Sequence, residues 1–191
     1  MLFGQQNEEF RLVKQHFDRQ ENLLKIEFAK KYNNAFTAQE KETVKKDFTE
    51  FMLKLDSVRN VAYLGALIRV KNNEGLKNIN AKNEEIEFQN VQTPEFPNGI
   101  DALREKVASL FYSKGIEYCK NELNTTVSFV VDENGSITDI KAEGENISFN
   151  KQAEIAMYLI SEKFTKPALQ KGNAVKYAFR MPLSKIGRAH V

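Results

Sequence analysis

The sequence predicts an α+β protein: a helical hairpin in residues 1–90, then a small domain at 91–185 with a three-stranded antiparallel sheet and two helices. Three observations predict it. Apolar residues recur every three to four positions through residues 7–58, the spacing of helices with one buried stripe. Val127, Phe129 and Val131 alternate with Thr126, Ser128 and Val130, the period of a strand with one buried face. Around that strand the second half reads as extended lead-in, helix, strand, strand, helix, strand. Helices gathered on one face of a small antiparallel sheet make an α+β domain.

Residues 7–32 carry Phe10, Val13, Phe17, Leu24 and Phe28 on one helical face, with a weak turn at Gln20 and Glu21. Asn33 and Asn34 end this helix. Thr37-Ala38-Gln39-Glu40 is a capping box, in which the Thr37 hydroxyl accepts from the Glu40 amide and the Glu40 carboxylate returns to Thr37. A second helix follows, with Val44, Phe48, Phe51, Met52, Leu55 and Val58 expected on its buried face. The short turn between the two favours an antiparallel pair. Residues 60–70 fit either a continued helix or a buried strand, and Gly65 weakens both. The Asn-rich stretch 72–87 reads as a loop and as the boundary between two units.

In the second half, Thr93 to Gly99 is punctuated by Pro94 and Pro97, which push their predecessors toward extended geometry. Asn98 is placed to cap a helix from about Ile100, whose buried face is Ile100, Leu103, Val107, Leu110 and Phe111. Asn134-Gly135 reads as a two-residue hairpin turn, and Ile137 to Ala142 as the returning strand. Asn150 is taken to cap the next helix, with Ala153, Ala156, Met157, Ile160 and Phe164 on one face and Pro167 as its stop. Gly172-Asn173 turns the chain into a last strand, 174–182. There Val175, Tyr177 and Phe179 face the core, Lys176 and Arg180 share the other face with Ala174 and Ala178, and Pro182 ends the pairing.

Composition is ordinary for a globular protein: 191 residues, 41% hydrophobic and 28% charged, with a net charge of +2. That balance makes no general case for nucleic acid or an anionic membrane, and no run spans a bilayer. The single Cys119 excludes an internal disulfide. The last six residues, Ile186 to Val191 (IGRAHV), read as the translation of a sequencing adapter, so Ser184 is taken as the last native residue and His190 is set aside. His16 is then expected as a surface histidine beside Asp18, not a metal site. MLFGQQ reads equally as the tail of a secretory signal or as an ordinary start.

Other constellations are set aside. Asp132-Glu133-Asn134-Gly135 has its glycine too early for a calcium loop. Cys119 has no histidine partner, the carboxylates near Glu117, Glu143 and Glu145 define no pocket, and no phosphate loop exists. The reading is non-enzymatic, without cofactor or metal.

Three segments, PEFPNGIDALR from Pro94, VSFVVDENGSITDIKA from Val127 and KPALQKGNAVKYAFRMPLS from Lys166, together resemble the TonB C-terminal domain family in its Bacteroidetes form. Asn98 stands where the family has the first of two glycines, and Phe164 near its usual Trp. The resemblance covers roughly half the chain. It implies a periplasmic module linked to TonB-dependent outer-membrane transport, which adds an extended segment of a transporter or other envelope protein to its sheet edge. The partner-binding residues it implies are Val175, Lys176, Tyr177, Ala178, Phe179 and Arg180 on the last strand, with Phe96 and Pro97, which serve equally as structural staples. The alternative covers that strand with the N-terminal helices. A transducer needs an anchor and a proline-rich spacer, whereas this chain has four prolines and helices in their place. The expectation is therefore an exported protein with no membrane span in this chain. The second functional reading is a structural or assembly protein that acts, or dimerises, through the N-terminal hairpin.

Overall fold

In the first segment, Phe10, Val13, Phe17, Leu24 and Phe28 form one continuous stripe, and α1 runs as one helix over Glu8–Asn34. The expected weak turn does not interrupt it. Glu21 is held by Lys25 at 2.6 Å and by Arg59 at 2.7 Å, which together keep its carboxyl below the usual carboxylate range. The structure, a computed structural model, describes residues 7–78, 91–112 and 122–185. Cys119, Glu117 and the tail after Lys185 lie outside them.

The capping box forms as read: the Thr37 amide donates to Glu40 at 2.9 Å and the Glu40 amide to the Thr37 hydroxyl at 3.1 Å. It opens α2, Ala38–Asn78. This helix settles the ambiguous stretch 60–70 as helical and runs into the expected loop. The correction has a tertiary cause, because Lys71 and Glu74 find partners far along the chain, at the Ile140 carbonyl and the Tyr158 hydroxyl. A second correction concerns the buried face. Phe51 and Val58 are 55% and 58% exposed, and the inward series is Val44, Phe48, Met52, Leu55, Tyr63, Ala66 and Val70. Contacts divide the chain into two compact units, one of Glu8–Arg69 and one from Val70 onward. Within the first, α1 and α2 meet through Phe10 stacked on Tyr63, Phe28 against Phe48 with centroids 4.4 Å apart, and Glu9 paired with Arg69. Burial pushes the Tyr63 hydroxyl up to about 12.

The second unit begins with the end of α2. Then come β1, Val91–Gln92, α3, Gly99–Ser109, and β2, Leu123–Val131. They are followed by β3, Ile137–Glu143, α4, Ile147–Tyr158, β4, Ala168–Gln170, β5, Asn173–Val175, and β6, Tyr177–Lys185. Two antiparallel sheets result, ordered β3-β2-β6 and β1-β4-β5, so the fold is α+β with one more small sheet than the residues predicted. In the larger sheet, Val127, Phe129, Val131, Ile137, Ile140, Met181 and Leu183 are buried. α4 packs against β2 and β3, and α3 packs against α4. Asp139, with φ 50, sits in a bulge opposite Phe129. The extra residue lets Ile137 and Ile140, three apart, point to the same face.

Several local expectations are corrected. The hairpin loop is Glu133-Asn134-Gly135, closed between Asp132 and Ser136, and of these only Gly135 has positive φ. The Asp132 carboxylate accepts from the Asn134 and Ser136 amides, which makes a three-residue loop better satisfied than a two-residue turn. Asn98 occupies the N-cap position of α3 with φ 63 but makes no side-chain cap bond. α4 starts a turn before Asn150: Asn146 caps it by accepting from the Phe149 amide, and Asn150 donates to the Gly144 carbonyl. The same helix stops at Tyr158, so Ile160 and Phe164 reach the core from a loop. Lys171-Gly172, φ 52 and 83, forms the later turn in place of Gly172-Asn173.

Candidate functional site: the open edge of the larger sheet

The strand expected at 174–182 is divided. Val175 ends β5 in the small sheet, Lys176 lies between sheets, and Tyr177, Ala178, Phe179 and Arg180 open β6. β6 pairs with β2 without interruption from Val131↔Tyr177 to Leu123↔Lys185. Pro182 therefore does not end the pairing; it sits opposite Thr126 inside it.

That proline shows which way the strand's bonds point. Proline has no N–H to give β2, so Thr126↔Pro182 is a pair without mutual hydrogen bonds. Antiparallel ladders alternate bonded and non-bonded pairs. Tyr177, Phe179, Met181 and Leu183 therefore bond to β2. Ala178, Arg180 and Ser184 aim their N–H and C=O groups away from it, as Pro182 does its carbonyl. The far side of β2 agrees. The Ala142 amide, opposite Val127, donates to Glu154 at 2.9 Å and so faces outward from β3.

The two edges differ. On β3 the outward Ala142 N–H is taken by Glu154 of α4, and the Ile140 carbonyl accepts from the Lys71 ammonium at the end of α2. Glu74, on the same helical turn, accepts from the Tyr158 hydroxyl at 2.6 Å. On β6 no strand and no side-chain cap meets the outward groups among the described residues.

Side chains alternate along this open edge. Tyr177 and Phe179 are half-buried, Met181 and Leu183 buried, and Lys176, Ala178, Arg180, Pro182 and Ser184 exposed. Phe179 stacks on Phe129 with centroids 5.2 Å apart and touches Phe164 at 5.5 Å. Phe96 meets Phe164 edge-on at 5.3 Å and is 6% exposed, so it underpins the edge from the core. Pro97 is half-buried in the lead-in to α3. Arg180 lies on the exposed face, where it adds to the main effect of Lys141 in lowering the Glu143 carboxyl. At its far end β6 borders a cleft of about 1000 Å³, lined by Pro182, Leu183 and Ser184 with Glu122, Glu145 and Arg104. His16 is exposed, with its ring against Phe17. Among the described residues no three metal-ligating side chains gather, and no helix is long and apolar enough to cross a membrane.

Sequence reasoning missed Glu154 and Lys71, because nothing local marks them as caps of a distant strand. It also took Pro182 as a terminator, although a proline within an alternating strand is itself the signal that its position faces an open edge. Burial raises the Glu154 carboxyl above the ordinary 4.5, against the opposing pull of the Ala142 amide and Lys71. Between pH 4.5 and its folded-state value, Glu154 keeps in the folded chain a proton that the unfolded chain has released. The stability it contributes is complete below pH 4.5 and is lost as pH rises through its folded-state value. Glu154→Gln keeps an acceptor for Ala142, and thermal melts are expected to show a flatter stability profile above pH 4.5 than the wild type. No family model matches the chain, and no curated protein or solved structure shows significant similarity to it.

Proposed function

We propose that this chain is a non-enzymatic binding module of the TonB C-terminal type, which takes an extended segment of an envelope protein onto β6. The observation that carries the reading is the contrast between edges: β3 is closed by Glu154 and Lys71, while β6 presents Ala178, Arg180 and Ser184 outward. Main-chain bonds to those groups supply affinity, and the alternating side chains supply selectivity. The three segments that resemble the TonB family support the same reading, and with it a periplasmic setting and a transporter as partner.

Ala178→Pro tests it. Position 178 has the same outward phase as Pro182, so the substitution removes an outward donor and leaves the bonds to β2 in place. Tyr177→Pro would instead break a bond to β2. Nine-residue peptides selected from a random displayed library are expected to shift the amide resonances of Ala178, Arg180 and Ser184. Their affinity is expected to fall at least about tenfold in the Ala178→Pro protein, whose melting curve checks its fold. A library with no binder, shifts confined to another surface, or unchanged affinity in the folded variant would each sink the reading.

A further inference from the structure

α2 carries a second apolar face that the hairpin does not use. Phe51, Val58, Val61 and Ile68 are 55%, 58%, 63% and 60% exposed. With Lys54 and Gly65 between them, they recur at spacings of three and four, the seam of a coiled coil. A helix that is apolar on two sides is ordinarily covered on two sides.

We infer that a second copy of this chain covers that seam, with the two α2 helices antiparallel. The order of residues selects both occupant and direction. Read from either end, the seam complements itself about a point between Val58 and Val61. Antiparallel pairing sets Phe51 against Ile68, Lys54 against Gly65 and Val58 against Val61, and the two-fold repeats each layer. A parallel pair would stack Lys54 on Lys54 and leave a gap at Gly65 on Gly65.

The antiparallel layers also match in size and charge. The space over Gly65 is open except for the Arg69 guanidinium, 3.5 Å from where a Cβ would stand. The long Lys54 stem of the second copy fills that space and carries its ammonium outward. There it meets Glu9, whose carboxylate Arg69 holds at 2.7 Å and which is 36% exposed. The seam spans roughly 27 Å at 1.5 Å rise per residue, on a helix about 10 Å wide. That footprint is below the ~800 Å² per partner of a standard interface, so the dimer is expected at roughly micromolar strength.

Sedimentation equilibrium of the full chain from about 1 to about 300 μM is expected to show a monomer–dimer equilibrium. Val61→Glu would place a carboxylate at the centre of the seam while altering only an exposed site of the monomer, and is expected to weaken the dimer at least about 100-fold. Ile26→Glu changes another exposed apolar residue, on α1 and off the seam, and is expected to leave it intact. Direction is read in a Cys119→Ser background by oxidising a mixture of Val58→Cys and Val61→Cys chains. Enrichment of the mixed disulfide supports the antiparallel pair. A monomer at every concentration, a Val61→Glu protein that dimerises like the wild type, or dominance of 58–58 and 61–61 disulfides would overturn it.

Discussion

Phe129→Ala is expected to lower the unfolding free energy of the second unit by roughly 3–5 kcal/mol, measured by urea denaturation. The ring is 1% exposed and lies between Phe179, with centroids 5.2 Å apart, and Phe164, at 6.4 Å. Truncation removes the transfer energy of the ring and leaves a cavity that a bulged strand on one side and β6 on the other cannot easily close. Since a domain of this kind is stable by about 5–15 kcal/mol, the loss is a large share of the total. Phe36→Ala is the contrast. Its ring is 96% exposed, and the change is expected to stay within about 0.5 kcal/mol. A Phe129→Ala protein that lost less than about 1 kcal/mol would mean that the aromatic cluster beneath β6 is not a packed core.

Gly135→Ala is expected to cost roughly 2–4 kcal/mol, through two independent causes. Gly135 has φ 75, which an alanine adopts only under strain, and an added Cβ would overlap the Phe164 carbonyl oxygen. That carbonyl is backbone and cannot rotate away. The Phe164 amide in turn donates to the Gly135 carbonyl at 2.8 Å, so the hairpin tip is pinned to the segment that delivers Phe164 to the core. Gly172→Ala separates the causes. Gly172 has φ 83 but nothing within 4 Å, so only the backbone strain remains, about 1 kcal/mol. Equal losses at the two positions would show that the contact with Phe164 contributes nothing.

These two sites show how far the residues could be read in advance. The alternation around Phe129 placed it in a buried strand face without any knowledge of its neighbours. Gly135 was legible as a turn residue, but its contact with Phe164 was not, because the two are brought together only when the hairpin folds back over the chain beyond α4. The same division runs through the candidate site. The alternation of Tyr177 and Phe179 against Lys176, Ala178 and Arg180 follows from a period of two. Where the strand begins does not: Val175 is drawn into the small sheet by Ala168, with which it pairs, and Ala168 lay in a segment too short to announce a strand.

What the sequence by itself determined is therefore the periodic pattern of its elements, but not every residue that caps a helix or makes a turn: Asn146, Glu133-Asn134-Gly135 and Lys171-Gly172 took those places against the reading. It set the α1 stripe, the Thr37–Glu40 capping box, the buried face of β2 and the α+β class, because periodicity and short-range hydrogen bonds are local properties of the chain. Only the tertiary structure decided which edge of the larger sheet is open. That depends on Lys71 reaching the Ile140 carbonyl and Glu154 reaching the Ala142 amide, contacts across 69 and 12 residues, while no such cap reaches β6 among the described residues. It also decided that α2 runs on to Asn78 and turns Phe51 and Val58 outward. A helix whose residues are apolar on two sides can face its partner with either, and packing against α1 selects one.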